Sequence, residues 1–349
     1  MTTANPPLSG PARSRARGAL LGLAVGDALG TTLEFVVAPR IPFPALALGP
    51  HAEVVGGGPF SVAPGQVTDD TQMATCLATS LRARGGLDVA DLAARYVAWL
   101  EHAFDAGAQT REVLGLLAGG AAPAEAGRKV WTDRGLRAAG NGSLMRTAPI
   151  GVAFALQPAA RREAALLDSA LTHYDPRCQL ACAAFDAAIG AAVSGKARSP
   201  QAVLESARAE LAPAAQAIAA LPGLPEPLVE EARAALEEDL ARAAQDDPGL
   251  YGPELHLHER QGFVRVAFRL AFWELLHAPD LRAGLVDVVN RGGDADTNGA
   301  IAGALLGALH GDGAIPEPWA ARVLGALADE PGPLRDLYHP RLLLELVAG

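Results

Sequence analysis

Cysteine is scarce. Three stand in 349 residues, Cys76, Cys178 and Cys182, an odd number that builds no disulfide framework and suits a reducing compartment. Cys178 and Cys182 lie four apart without partners at metal-ligand spacing, and are read as small buried hydrophobes. Aromatic residues make up 5% of a chain that is 50% hydrophobic, so alanine and leucine carry most of the apolar character. That balance favours helices over strands, which prefer β-branched and aromatic side chains. An excess of positive charge is also missing. The formal net charge of −10 excludes general electrostatic binding of nucleic acid, though a local site for a phosphorylated ligand can oppose it. No apolar run reaches the roughly 18 residues of a membrane helix. Arg13, Arg15 and Arg17 before the apolar residues 19–25 imitate a signal peptide. Asp27 then interrupts the pattern and no convincing cleavage site follows, so the stretch is assigned to the fold and the protein to the cytoplasm.

Convincing strand alternation is lacking as well. Helical periodicity predicts helices over about 14–29, 70–84, 88–103, 109–118, 161–172, 177–194, 200–212, 227–244, 260–277, 280–290, 297–310, 318–328 and 334–347. Asp88, and Asp175 followed by Pro176, are helix-start signals. The expected fold is all-α, a compact orthogonal multi-helix bundle. Residues 1–13 read as a disordered tail and 14–349 as one domain. Within it, 196–258 is a peripheral or inserted segment, broken at Leu221-Pro222-Gly223-Leu224-Pro225 and at Asp246-Asp247-Pro248-Gly249. Residues 38–66, rich in Pro and Gly, form a long loop of the kind that is usually functional or disordered.

Two glycine ladders stand out. Gly18, Gly22, Gly26 and Gly30 recur every four residues, as do Gly299, Gly303 and Gly307. An interior glycine costs a helix about 1 kcal/mol relative to alanine. A row on one face is explained by close approach of another backbone, which places these two helices at the centre, against each other. Each ladder adjoins acids: Asp27 and Glu34 at one, Asp294 and Asp296 at the other.

Thr68-Asp69-Asp70 and Asp294-Ala295-Asp296-Thr297 both stand where a loop becomes an apolar helix. Helix capping alone would explain either. Together they gather buried carboxylates that repel unless a cation neutralises them. All-oxygen ligands suit a hard ion, Mg²⁺ or Mn²⁺, and four aspartates exceed what one such ion takes from protein, so two ions are expected. Prenyl-transfer chemistry is excluded because Asp69-Asp70 is followed by Thr71, Gln72 and Met73, without a third acid. His256 and His258 lack the further ligands of a zinc site.

Five blocks, in order, resemble the ADP-ribosylglycohydrolase family, most closely its bacterial dinitrogenase reductase-activating type. They are residues 18–30 with Glu34; residues 65–73; Gly140-Asn141-Gly142-Ser143-Leu144-Met145-Arg146; Thr172-His173 with Asp175-Pro176; and residues 289–303. The resemblance implies that family's helical fold and a dinuclear Mg²⁺ or Mn²⁺ centre on Thr68, Asp69, Asp70, Asp294, Asp296 and Thr297. It implies hydrolysis of the bond between the anomeric carbon of ADP-ribose and an acceptor side chain, arginine favoured. Glu34, Asp69, Asp105 and Asp296 are the implied catalytic carboxylates. Asn141, Gly142, Ser143, Met145, His173, Gly292 and Gly293 are the implied substrate contacts, with the glycine turns offering N–H groups to the diphosphate.

The chain departs from the family pattern in two places. Ala108 stands where the family stretch after Asp105 has asparagine, and Phe263 where close relatives have tyrosine. Several roles stay open at this stage. The base is a metal-side aspartate, Glu34 or Asp105. His173 orders its turn or touches ligand, and Arg146 faces phosphate or pairs with an acid. The competing functions are a non-catalytic ADP-ribose-binding relative and a metal-dependent hydrolase of another nucleotide or phosphoester. The expected partner is ADP-ribose on a protein; no membrane is expected, and a monomer is favoured.

Overall fold

The computed structural model describes residues 8, 10–219 and 224–348. The expected break at Leu221-Pro222-Gly223 and most of the expected tail, residues 1–7 and 9, lie outside them. Helices follow one another along the chain: α1 (Gly10–Gly30), α2 (Asp69–Arg84), α3 (Val89–Leu100), α4 (Ala108–Ala118), α5 (Pro123–Asp133), α6 (Ala148–Ala153), α7 (Pro158–Thr172), α8 (Pro176–Ser194), α9 (Pro200–Ala219), α10 (Glu226–Ala243), α11 (Val264–His277), α12 (Leu281–Asn290), α13 (Ala295–His310), α14 (Glu317–Gly325), α15 (Pro333–Leu337) and α16 (Pro340–Leu344). Among the described residues only isolated bridges stand in for β-structure, and the fold is all-α. No helix of the described residues is long and apolar enough to cross a membrane.

The centre is the antiparallel pair α1 and α13. A Cβ on Gly18, Gly22, Gly26 or Gly30 would lie 2.3, 2.2, 1.9 or 2.2 Å from the carbonyl oxygen of Gly307, Gly303, Gly299 or Ala295 respectively. The reverse also holds, so each ladder is the groove into which the other's backbone fits. Around this pair, α2, α6, α8, α11 and α12 pack as a shell whose apolar side chains form one continuous core.

Several helices differ from the periodicity reading: α6 was not expected, and the helix expected over 334–347 is divided into α15, α16 and a 3-10 turn, where Pro340 removes a backbone N–H. Residues 10–13, expected in the tail, form the first turn of α1, where Pro11 has no N–H to leave unpaired. That end is held down by Asp312, which accepts from the Ser14 hydroxyl at 2.6 Å and from Arg17 Nε at 3.0 Å. α9 runs past Pro213 because its face of Leu211, Ala214, Ala215 and Ile218 stays buried on both sides of the missing hydrogen bond. α5 was not expected; its interior Gly127 disfavours a helix, yet allows the backbone to approach the Ala170 carbonyl of α7.

The segment 196–258 contributes α9 and α10, which lie against α8 and α11. Its attachment is ionic as well as apolar. Buried Asp239 of α10 accepts from Arg265 Nε and Arg269 Nε of α11, both at 2.7 Å.

Gly303→Ala is expected to destabilise the protein by about 3 kcal/mol or more, because two backbones must separate. Gly115→Ala, in the exposed interior of α4 with open space around it, is expected to stabilise it by about 0.5–1 kcal/mol. Denaturant midpoints of the two variants test the contrast.

Candidate active site

The α1–α13 pairing has a consequence for chemistry. Antiparallel packing sets the end of α1, carrying Asp27 and leading to Glu34, beside the start of α13, carrying Asp294 and Asp296. The start of α2 arrives at the same place. Thr68 occupies its N-cap position without making a side-chain cap bond. The cap comes instead from Asp27, whose carboxylate accepts from Thr68 N at 3.0 Å, Thr71 N at 3.1 Å, Thr68 Oγ1 at 3.0 Å and Thr71 Oγ1 at 2.6 Å. With α2 capped from another helix, Asp69 and Asp70 are released from that duty. Capping therefore does not account for these acids.

Two oxygen clusters result, joined through Asp296. Thr68 Oγ1 lies 3.0 Å from Asp70 Oδ2 and 3.3 Å from Asp296 Oδ2. Carboxylate oxygens of Glu34, Asp294 and Asp296 lie within 4.8 Å of one another. Glu34 Oε2 and Asp70 Oδ1 are buried without a hydrogen-bond partner. Burial first, and mutual repulsion second, push these groups up. Glu34 rises to about 8, with Asp105 and Asp294 as the charged neighbours. Asp69, Asp70 and Asp296 are also held well above the usual range by burial and by one another. Asp105 rises to about 6 through burial and Asp294, partly offset by its hydrogen bond with Asp69 and by Arg111. Orphaned, buried, oxygen-only donors of this kind fit a hard divalent cation, and the cluster can hold one.

The acids form part of the wall of a cavity of about 840 Å³. Glu34, Asp69, Asp105, Asp294, Asp296 and Thr297 line it, as do Asn141, Gly142, Met145 and His173. Thr68 and Asp70 sit behind them, fully buried. Asn141 Nδ2 donates to Asp294 Oδ2 at 2.7 Å, tying the glycine turn to the acids. His173 is buried beneath that turn, with Nδ1 2.9 Å from Thr172 Oγ1. A Cβ on Gly142 would meet its ring at 2.9 Å. Burial and Arg146 hold His173 well below its usual range, so it is neutral. It both orders the turn and faces the cavity.

Three expected substrate contacts are corrected. Ser143 does not line the cavity; it is fully buried and shares a 2.9 Å hydrogen bond with Ser169. Gly292 and Gly293 adopt left-handed backbone conformations, φ 71 and 72°, but their N–H groups are already used. Gly292 donates to Val289 O at 3.1 Å and Gly293 to Val36 O at 2.9 Å, so neither is free for a phosphate. Arg146 faces an acid, not a ligand. It is fully buried against Asp168, 3.2 Å away, and over the Tyr96 ring at 4.5 Å.

The chain as a whole is similar to known proteins. The family model described as ADP-ribosylglycohydrolase covers residues 9–344. The chain belongs to the ADP-ribosylglycohydrolase family. It is 31% identical over 329 residues to the ADP-ribosyl-dinitrogen reductase glycohydrolase of Rhodospirillum rubrum, covering 90% of this chain and 92% of that protein. It is 30% identical to the ADP-ribosylarginine hydrolase Tri1 of Pseudomonas putida (strain GB-1), covering 89% of this chain and 75% of that one. A solved structure, an ADP-ribosylglycohydrolase-related protein complex, superposes with a TM-score of 0.70 at 30% identity, covering 97% of this chain and 98% of that one.

Two features of this ADP-ribosylglycohydrolase escaped sequence reasoning. Arg134, Arg137, Arg177 and Arg260 also line the cavity. Isolated arginines in an acidic chain carry no sequence signal. The other is Arg291, which precedes the Gly292-Gly293 turn and holds the long loop in place. Its guanidinium donates to Ile41 O at 2.9 Å, Ala45 O at 3.0 Å and Asp287 Oδ2 at 2.7 Å, and packs over the Phe43 ring at 3.8 Å. Ile41, Phe43 and Ala45 are thus pinned to the end of α12.

Glu274 of α11 stands under this clamp, fully buried and facing Asp287. Burial, then Asp287, raise it well above the usual range, while Arg291 opposes the shift. Protonated, it can donate to Asp287; ionised, its oxygens have no partner. Below the unfolded-state pKa both states bind this proton. Above it, only the native state does, so stability falls as pH rises from about 4.5. Glu274→Gln is expected to flatten that decline and to be more stable than wild type at pH 8. Urea midpoints measured between pH 5 and 8 provide the check.

Proposed function

We propose that this protein hydrolyses the glycosidic bond between the anomeric carbon of ADP-ribose and an arginine side chain, and that it depends on two divalent cations, Mg²⁺ or Mn²⁺. The observation that carries this reading is the division of charge in one cavity. Six carboxylates line it; Glu34, Asp69, Asp105, Asp294 and Asp296 form the acidic cluster, where Arg111 acts on Asp105, and Glu259 stands beside Arg260. Arg137 and Arg177 line both this cavity and an adjoining one of about 330 Å³. Arg177 is held by Asp175 at 2.7 Å, whereas Arg137 has no carboxylate partner among the described residues. A ligand with a polyol at one end and a diphosphate towards the other matches that polarity.

Thr68, Asp70 and Asp296 would hold one cation, and Glu34, Asp294 and Asp296 the other, with Asp296 between them and Asp69 and Thr297 alongside. Cations held there would supply Lewis acidity towards ribose hydroxyls and a water. Glu34, on the cavity wall, takes the proton of the attacking water on its carboxylate. The water oxygen bonds to the anomeric carbon as the carbon–nitrogen bond breaks through an oxocarbenium-like transition state. The bond's electron pair leaves with the guanidine, which then takes up a proton. Asp105 orients that guanidine, and Asn141 keeps Asp294 aimed at the site. Arg137 and the backbone N–H of Gly142 take the diphosphate; the N–H groups of Gly140 and Asn141 already donate to Gln109 Oε1 and Gly262 O. The three buried free cysteines support a reducing, cytoplasmic setting.

Incubation with arginine- and serine-ADP-ribosylated proteins, with Mg²⁺ or Mn²⁺, is expected to release ADP-ribose from the arginine substrate. EDTA should abolish release. Asp294→Ala should reduce it by roughly 100-fold or more, beyond the loss typical of an outer-shell metal contact. Added Mn²⁺ should raise the thermal midpoint of the wild type and leave Asp294→Ala unmoved. Absence of both release and ADP-ribose binding would refute the assignment. Arg137→Ala is expected to raise KM roughly tenfold at unchanged kcat, the signature of ground-state phosphate binding in steady-state kinetics.

A further inference from the structure

Phe35 is out of place by every structural rule. It follows Glu34, is 52% exposed, and has φ 61°, a left-handed conformation that bulky residues rarely adopt. Nothing apolar encloses it. The surrounding backbone nevertheless enforces the conformation. Phe35 N donates to Gly293 O at 2.7 Å, Gly293 N donates to Val36 O at 2.9 Å, and Val37 bridges Gly292. Gly292 admits this contact because a Cβ there would lie 2.2 Å from Val36 O. The strained residue is thus clamped to the turn that begins the second acidic cluster.

The clamp presents the ring to the cavity, whose wall Phe35 shares with Glu34, Asp69 and Asp105. Two further rings continue from it. Phe60 stands edge-on to Phe35 at 6.4 Å, and Phe104, the residue before Asp105, stands edge-on to Phe60 at 5.7 Å. A row of three rings therefore runs from Phe35, beside Glu34, to Phe104, beside Asp105, and Phe35 is the one of them that lines the cavity.

We infer that Phe35 is the acceptor-specificity residue: its ring face receives the guanidinium of the arginine that carries ADP-ribose, opposite the Asp105 carboxylate. The charge of the surroundings selects this occupant. A planar, weakly hydrated cation gains from both an aromatic face and a carboxylate. An adenine would stack equally well on the ring, but would bring its diphosphate among the acids. A serine acceptor offers no cation for the ring. The exposed Val36 and Val37 extend the rim outward, where the surface around a modified arginine would rest.

This inference rests on the proposed hydrolase activity, and its test separates the two. The full-length protein with Mn²⁺, and its Phe35→Leu and Phe35→Tyr variants, are assayed for kcat and KM on arginine-linked and serine-linked ADP-ribosyl peptides, and for equilibrium binding of free ADP-ribose. Phe35→Leu, which keeps apolar bulk without a ring face, is expected to raise KM for the arginine peptide about fivefold or more, the scale of a cation–π contact. Phe35→Tyr restores it, and ADP-ribose affinity is unmoved in both. A leucine variant equal to wild type on the arginine peptide overturns the inference. So does an equal loss on both peptides or on ADP-ribose itself, which would place the ring against the nucleotide. Turnover of the serine peptide alone overturns it while leaving a hydrolase. Neither turnover nor ADP-ribose binding by the wild type removes the hydrolase reading and this inference together.

Discussion

Contact between the backbones of α1 and α13 is the constraint on which the rest depends. Helices normally stand 8–10 Å apart because side chains separate them. Here glycine faces glycine at three successive levels and Gly30 faces Ala295 at a fourth, and carbonyl oxygens occupy positions that Cβ atoms would otherwise fill. So close an approach leaves no freedom to slide or rotate. It fixes where Asp27 and Glu34 leave one helix relative to Asp294 and Asp296 entering the other, which an ordinary side-chain interface would do with more play.

That geometry concentrates negative charge where water is excluded, which is unfavourable in itself. The structure offsets part of it with donors. Asp27 is surrounded by N–H and hydroxyl groups from the start of α2, and the partial positive ends of α2 and α13 both point at the acids. What is left over, Glu34 and Asp70 oxygens without partners, is what a bound cation would satisfy. Asp168 and Asp239 are equally buried, but each is matched by arginine: Asp168 by Arg146, and Asp239 by Arg265 and Arg269.

The loop between α1 and α2 links the acids to recognition. Regular structure is almost absent from it, yet it is ordered, because polar groups near the end of α12 take up its backbone. Arg291 holds Ile41 and Ala45, and Asn290 exchanges hydrogen bonds with His51. The same turn of chain that supplies Asp294 therefore also shapes the rim of the cavity, and the strained Phe35 sits at their junction. Binding of a substrate and placement of the acids are mechanically one problem here.

The all-α class, the two ladders and their mutual packing, the acidic clusters and the membership in a hydrolase family were legible in residue order, because each depends on local periodicity or short motifs. Boundaries failed where packing outweighed propensity, as in α5 through Gly127 and in α9 past Pro213. Among site residues, Glu34, Asp69, Asp105, Asn141 and His173 could be named from their blocks, and they do meet in one cavity. Ser143, Gly292 and Gly293 could not be judged from order alone, since which hydrogen bonds a backbone has already formed is a three-dimensional fact. Nor could Arg137 or Phe35, whose importance comes from facing a cavity assembled by distant segments. By itself the sequence determined which backbones can touch and which side chains can carry charge, because both follow from the presence or absence of particular atoms. Only the tertiary structure decided which of those charges go unpartnered and which surfaces face them, because that depends on every competing hydrogen bond and neighbour that the closed fold brings within reach.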